Sequence, residues 1–310
     1  ELQQDADVLD TWFSSWIWPI SVFDGIRNPE NTDYQYYFPT NDLVTGHDIL
    51  FFWVARMIMA GYETAHDLPF KNVYFTGMVR DKERKKMSKS LGNSPDPITL
   101  IDKYGADGVR SGMLFSSPAG NDLLFDENLC QQGRNFANKI WNAYKLIESW
   151  NVSDKSLKNV NVDVIFWFEN KLQQDVLKIN NLFSEFKISE SLMVIYKLIW
   201  HDFCSSYLEI IKPADKIIDQ ETYSKTIYFI ESLLIVLHPF MPFISEDIWQ
   251  KLSSRKNGQT ISYCEWPTFN NTKVDTEILN RFQHLFKLIA AIRKIRKDKG
   301  ISFKEKIDLL

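Results

Sequence analysis

LVTGHDILFFWVARMIMAGYE, residues 43–63, decides the first half of this chain. Leu43–Gly46 is brief, rich in β-formers and closed by glycine, which suits a buried strand. The run from His47 to Glu63 is too long for one strand and apolar almost all round, so it predicts a helix. A second short β-rich run closed by glycine follows, NVYFTG at Asn72–Gly77. Strand, helix, strand in that order is the unit of a parallel sheet.

Further along, Arg84–Asn93 reads RKKMSKSLGN and runs into a loop marked by Pro95 and Pro97. Beyond about Arg134 the texture changes to helical periods. Phe136, Ile140, Tyr144 and Ile147 fall at intervals of four, four and three, one face of a helix. Helices are also predicted over 164–181, 188–211 and 221–237, from Pro242, and over 278–299. Pro242 suits a first helical turn. The last helix ends in Arg293, Lys294, Arg296, Lys297 and Lys299.

The 310 residues are 45 % apolar and 14 % aromatic, ample for a core, and the net charge of −4 excludes a uniformly basic nucleic-acid binder. A local cationic patch on an acidic body stays open. Cys130, Cys204 and Cys264 are far apart, with no CxxC pair and no histidine at ligand spacing, so we expect reduced thiols in a cytoplasmic protein, no zinc and no disulfide. No uncharged apolar run approaches the ~18 residues of a membrane span. The opening, ELQQDADVLDTW, has no basic-then-apolar order and no initiating methionine; it reads as though cut from a longer chain.

The lysines of KMSKS are compact, strongly hydrated charges on flexible stems, able to follow oxygens whose charge grows during a reaction. Ser88 and Ser90 add short donors, and Gly92 lets the chain turn. Such a loop can close on a triphosphate and stabilise departing pyrophosphate. A solvated charge run is the plainer reading of the pentapeptide alone.

Its surroundings alter the balance. The sequence resembles the class I aminoacyl-tRNA synthetases, and among them the valyl enzymes, over essentially the whole chain. The resemblance is carried by DVLDTWFSS (Asp7–Ser15), LVTGHDILFFWVARMIM (Leu43–Met59), RKKMSKSLGN with Asp96 and Pro97, YGADGVR (Tyr104–Arg110), RNFANKIWNA (Arg134–Ala143) and HPFMPFISEDIW (His238–Trp249). It implies an α/β plus all-α fold: the second half of a Rossmann-like class I catalytic fold with the KMSKS loop and a stem-contact segment (1–126), a helical-bundle anticodon-binding domain (127–270) and a basic terminal helix (271–310). It also implies an internal segment, because the family's HIGH-type signature is absent from these residues and the valyl editing domain would lie upstream.

For the site, the resemblance implies Lys86 and Lys89 as the catalytic phosphate-handling pair, with Met87, Ser88 and Ser90 completing the ATP loop. Gly46, Asp48 and Ile49 would hold the nucleotide, Gly46 by close approach and Asp48 by accepting ribose hydroxyls. Asp48 could equally be a helix N-cap. Trp12 and Trp53 would wall the valine pocket, although a tryptophan in an apolar run is more often packing. Asn93 and Asp96 would shape the loop. Arg293, Lys294, Arg296 and Lys297 would meet tRNA phosphates, against the plainer reading of a solvated helix face. Trp141, Tyr144, Phe166 and Trp167 could stack bases, but at helical spacing most of them read as core, and His238 reads as a satisfied core histidine.

Two positions depart from the family pattern. Arg84 stands where a glycine usually turns a small hairpin, which predicts a different turn. His47 stands where an aromatic is common. The implied parent is a monomeric valine–tRNA ligase using ATP with Mg²⁺ as its substrate complex, valine and valine tRNA, with no resident metal or prosthetic group; the segment alone is expected to be nearly inert. An isoleucyl or leucyl ligase, or a tRNA-binding module without catalysis, are the alternatives.

Overall fold

The computed structural model describes residues 3–117, 121–154, 159–269, 273–302 and 305–306, with the side chains at 89, 159 and 160 outside that description. A short helix, α1 (Thr11–Trp16), opens on Asp10, whose carboxylate accepts the Trp12 N–H. Strands β1 (Thr40–Gly46) and β2 (Phe70–Thr76) pair in parallel, Thr40 opposite Phe70 through Gly46 opposite Thr76. The predicted crossover is there.

It is not one regular helix. A 3₁₀ turn (His47–Ile49) and a π-helical stretch (Leu50–Val54) precede α2 (Ala55–Thr64). The irregular part is where α1 docks: Trp16 Nε1 donates to the Phe52 carbonyl (3.1 Å) and Trp53 Nε1 to the Ser15 carbonyl (3.1 Å). Those partners lie far away in sequence, so periodicity could not report them. Val54, Met57 and Phe70 form a small core under the sheet. Beyond β2, β3 (Val79–Arg80) pairs in parallel with β4 (Leu123–Leu124).

Two helices that the sequence reading did not predict, α3 (Pro97–Tyr104) and α4 (Ala106–Phe115), precede the expected helical stretch: α5 (Glu127–Glu148), α6 (Asn159–Ser184), α7 (Ile188–Lys197), α8 (Gln220–Leu237), α9 (Pro242–Leu252) and α10 (Thr276–Asp298). Helix α7 continues through a π-helical stretch, Leu198–Tyr207, into Leu208–Ile211. Between the long helices, β5 (Asn151–Ser153) pairs with β6 (Ile217–Asp219). The predicted face of α5 is buried throughout, Phe136, Ile140, Tyr144 and Ile147 being at most 3 % exposed. The helix begins earlier than Arg134 because Asp126 caps it, accepting the Asn128 N–H at 3.0 Å.

Helix α4 ties the halves together. A Cβ on Gly112 would stand 2.7 Å from the Cys130 backbone nitrogen, so only glycine lets α4 approach α5 this closely. The buried Asp107 carboxylate accepts the N–H groups of Phe243 (3.3 Å) and Ile244 (2.7 Å), capping α9, whose own N-cap residue Met241 offers no side-chain bond. One turn on, Arg110 donates to the carbonyls of Pro239 (3.1 Å) and Phe240 (3.2 Å) beyond the end of α8. Burial raises the Asp107 pKa, with the two backbone N–H bonds opposing it. His238 is the satisfied histidine expected, its ring nitrogens meeting Ser245 Oγ (2.7 Å) and Ser262 Oγ (3.1 Å).

Candidate nucleotide site and basic helix

The lid is a hairpin leaving β3. Met87 N–H donates to the Val79 carbonyl (3.1 Å), Asp81 N–H to Lys85 (2.9 Å) and Arg84 N–H to Asp81 (2.9 Å). Arg84 sits at φ +64°, in the left-handed region that favours glycine. The glycine-type turn therefore survives, with arginine bearing its conformation, and a differently built turn is not needed.

Asp81, which sequence reading missed, is the hub of this loop. One carboxylate oxygen accepts the Lys85 N–H (2.8 Å) and the other the Asn93 amide (2.8 Å). That amide bond, first among several, holds the Asp81 carboxyl below the usual carboxylate range. Asn93 in turn accepts the Ser88 N–H (2.9 Å), while Ser88 Oγ and Ser90 Oγ share a hydrogen bond (2.9 Å). Gly92 turns at φ +66°, and Asp96 caps α3, accepting from Ile98 and Thr99. Asn93 and Asp96 thus shape the loop. An acidic residue directly after a strand and before a basic run was the available signal for Asp81.

The cradle begins where β1 ends. At Gly46 an added Cβ would stand 2.6 Å from Asp48 Oδ1. Asp48 accepts no capping bond from the helix it precedes, so the N-cap reading is not realised. Its carboxylate instead faces the lid, with Lys86 Nζ 3.5 Å from Oδ2. Ile49 is half-buried beside it and His47 is exposed. Met87 and Ser88 are half-buried and Ser90 exposed, whereas the side chain of Lys89 lies outside the described residues.

Trp12 stacks on Phe52, ring centroids 6.0 Å apart, and Trp53 packs half-buried against the core under the sheet. Both belong to the α1 docking surface. A cavity of about 570 Å³ between α1 and α2 is lined by other side chains, among them Phe13, Trp16, Arg56 and Met59. On α10, Arg293, Lys294 and Lys297 are exposed, while Arg296 turns back to the carbonyls of Ser302 (2.5 Å) and Glu305 (2.7 Å). Of the aromatics, Tyr144 and Trp167 are buried, Trp141 half-buried and Phe166 exposed. Among the described residues, no group of three or more His, Cys, Asp or Glu side chains could hold a metal, and the three thiols are free.

A parallel strand–helix–strand unit bearing a cationic lid, followed by a helical body, defines a class of protein that comparison with known families identifies. Residues 1–126 match the model described as tRNA synthetases class I (I, L, M and V), and residues 166–310 match the anticodon-binding domain of tRNA ligase. The chain belongs to the class I tRNA synthetases.

Relatives at 41–55 % identity include valine enzymes. It is 54 % identical to the valine–tRNA ligase of Christiangramia forsetii over 99 % of this chain and 35 % of the relative. It is 55 % identical to that of Bacteroides thetaiotaomicron (100 % and 35 %) and 41 % identical to that of Listeria monocytogenes (96 % and 34 %). The chain therefore spans about a third of the length of these relatives. Among solved structures, a leucyl-tRNA synthetase in ternary complex with tRNA, from Agrobacterium radiobacter, shares the fold at TM-score 0.62 and 20 % identity, covering 89 % of this chain and 34 % of that one. Methionyl-tRNA synthetase of Mycobacterium tuberculosis does so at 0.55 and 18 %, covering 73 % and 46 %.

Proposed function

We propose that this chain is the lid-bearing and anticodon-binding part of a valine–tRNA ligase. The carrying observation is the approach of Lys86 to Asp48, which sets the cationic loop over the glycine-ended strand. ATP enters as its Mg²⁺ complex, the ribose hydroxyls donating to Asp48 and the adenosine lying by Ile49 at Gly46. Valine, between Trp12 and Trp53, attacks the α-phosphorus through its carboxylate. The bond to the β-phosphate oxygen breaks, and pyrophosphate leaves toward Lys86 and Lys89, with the donors of Ser88 and Ser90 and the backbone at Met87 alongside. A hydroxyl of the terminal tRNA ribose then attacks the valyl carbonyl and releases AMP. No covalent enzyme intermediate is required, so catalysis is positioning and charge stabilisation.

Arg293, Lys294 and Lys297 supply contacts to tRNA phosphates, and Arg296 acts indirectly by holding the end of α10. Free thiols support a reducing compartment, which we take to be the cytoplasm. Among the described residues no helix is long and apolar enough to cross a membrane. The test is pyrophosphate exchange by a complete ligase carrying this segment, with valine, isoleucine and leucine in turn. Valine should be preferred, and Lys89→Ala should lower exchange at least about a hundredfold. Equal exchange with isoleucine, or an indifferent Lys89→Ala, would reject the assignment.

A further inference from the structure

Asp202 lies in the π-helical stretch after α7 and faces a polar cavity of about 340 Å³ between α6, that stretch and α10. That volume falls in the range of small-ligand pockets, roughly 300–1,000 Å³. Trp167 and Phe286 supply aromatic wall, while Gln174, Asn280 and Gln283 stand exposed around the rim. The carboxylate is under-partnered. Lys171 is 2.9 Å from Asp175 but 3.8 Å from Asp202, so one ammonium serves two acids. Among the described residues no N–H or O–H group donates to Asp202, whose side chain is only 23 % exposed. Burial pushes its pKa up to about 6, which still leaves it chiefly an acceptor at neutral pH.

An acceptor at the floor, carboxamides at the rim and aromatic carbon on the walls make a complement for a flat heterocycle with an amino group. An alkylammonium ion could satisfy the carboxylate, but it offers no acceptor through which the rim carboxamides could add to recognition. A nucleobase edge offers both donors and acceptors. Exposed Lys287 on α10, four residues beyond Gln283 and seven beyond Asn280, lies on the same helix face as these rim residues and is suited to a backbone phosphate beside the base. Single-stranded RNA is read in this way, by bases splayed out of a loop.

We propose that this cavity receives one unstacked, amino-bearing base of the tRNA anticodon loop, with Asp202 accepting its amino N–H and Gln283 and Asn280 meeting its other edge atoms. The proposal rests on the tRNA-binding reading above and adds the base-reading residues to it.

The experiment measures binding of the 310-residue chain to a synthetic valine-tRNA anticodon stem-loop by fluorescence anisotropy, at one fixed salt concentration. Loops with a single abasic nucleotide at each position in turn complete a double-mutant cycle. Asp202→Asn should weaken binding to the intact loop about tenfold, and Gln283→Ala, at the exposed rim, should act in the same direction without threatening the fold. For one abasic loop neither substitution should cost anything further, and the salt dependence should not change, since no phosphate contact is lost. If both substitutions are silent, or cost the same with every abasic loop, the cavity does not read a base. If the unsubstituted chain binds the stem-loop no better than an unrelated hairpin, the tRNA reading itself fails and this one with it.

Discussion

Lys86 Nζ stands 3.5 Å from Asp48 Oδ2, joining a loop and a strand end that are distant in sequence. Both side chains are well exposed, at 60 % and 43 %, so solvent screens the pair and it adds at most about 1 kcal/mol to stability. Its importance is positional. The loop is already turned toward the end of β1, and under the proposed function ATP would have to displace this contact to bind.

Lys86→Gln and Asp48→Asn should therefore leave the melting temperature within about 2 °C of the parent. In a complete ligase, each should lower kcat/KM for ATP in pyrophosphate exchange by about tenfold or more. Parallel scanning calorimetry and exchange kinetics separate the effects; a large loss of stability with normal kinetics would reassign the pair to structure.

Two glycines should respond oppositely to alanine. At Gly46 the new methyl meets only the end of the Asp48 side chain, which can rotate away, so stability changes little while ATP binding suffers. At Gly112 it meets the Cys130 backbone, which cannot move without separating α4 from α5. Gly112→Ala should cost about 2–3 kcal/mol in urea unfolding, and Gly46→Ala well under 1 kcal/mol.

Arg84→Gly should stabilise the lid turn. At φ +64° an arginine carries a conformational penalty that glycine lacks, offset in part by the greater freedom of glycine in the unfolded chain. A net gain of about 1 kcal/mol or less is expected. It would be read as slower amide hydrogen exchange at Met87 and Arg84, whose N–H groups close the hairpin; unchanged or faster exchange there would show that the turn is not strained.

Asp107→Ala should be more damaging than Asp107→Asn. Alanine leaves two N–H groups of α9 without their acceptor at a buried junction, at a cost of about 2–3 kcal/mol. Asparagine retains one acceptor oxygen and should lose roughly half as much. Chemical denaturation of both variants checks the order.

The parallel crossover, the buried face of α5 and the lid motif were legible because each is written locally, in period, composition or spacing. What escaped depends on partners far along the chain. The π-helical turn at Leu50–Val54 answers to indoles in α1, and the trans-cap of Asp107 answers to α9. Arg84 was read as giving a different turn because it replaces a glycine, yet Asp81 supplies bonds that hold the arginine in the glycine-type conformation. The lysines could be named from sequence, but the approach of Lys86 to Asp48 could not.

Asp202 gives the last prediction, and its sign follows from linkage. Its folded pKa, about 6, lies above the ordinary aspartate value of 3.8, with burial the chief cause and Asp175 adding to it while Lys171 opposes. The folded state thus binds the proton more tightly than the unfolded chain does. Stability falls as pH rises from about 4 to about 6 and stays lower above that window, by roughly 2–3 kcal/mol at most. Asp202→Asn, which cannot ionise, should therefore raise the melting temperature at pH 7.5 and leave it nearly unchanged at about pH 4. A variant that is more stable at neutral pH yet binds the stem-loop more weakly would be hard to explain by damage to the fold, because a carboxylate that only packed the bundle would not lose binding when its replacement packs better. Destabilisation at pH 7.5 would instead mean that Lys171 already satisfies both acids.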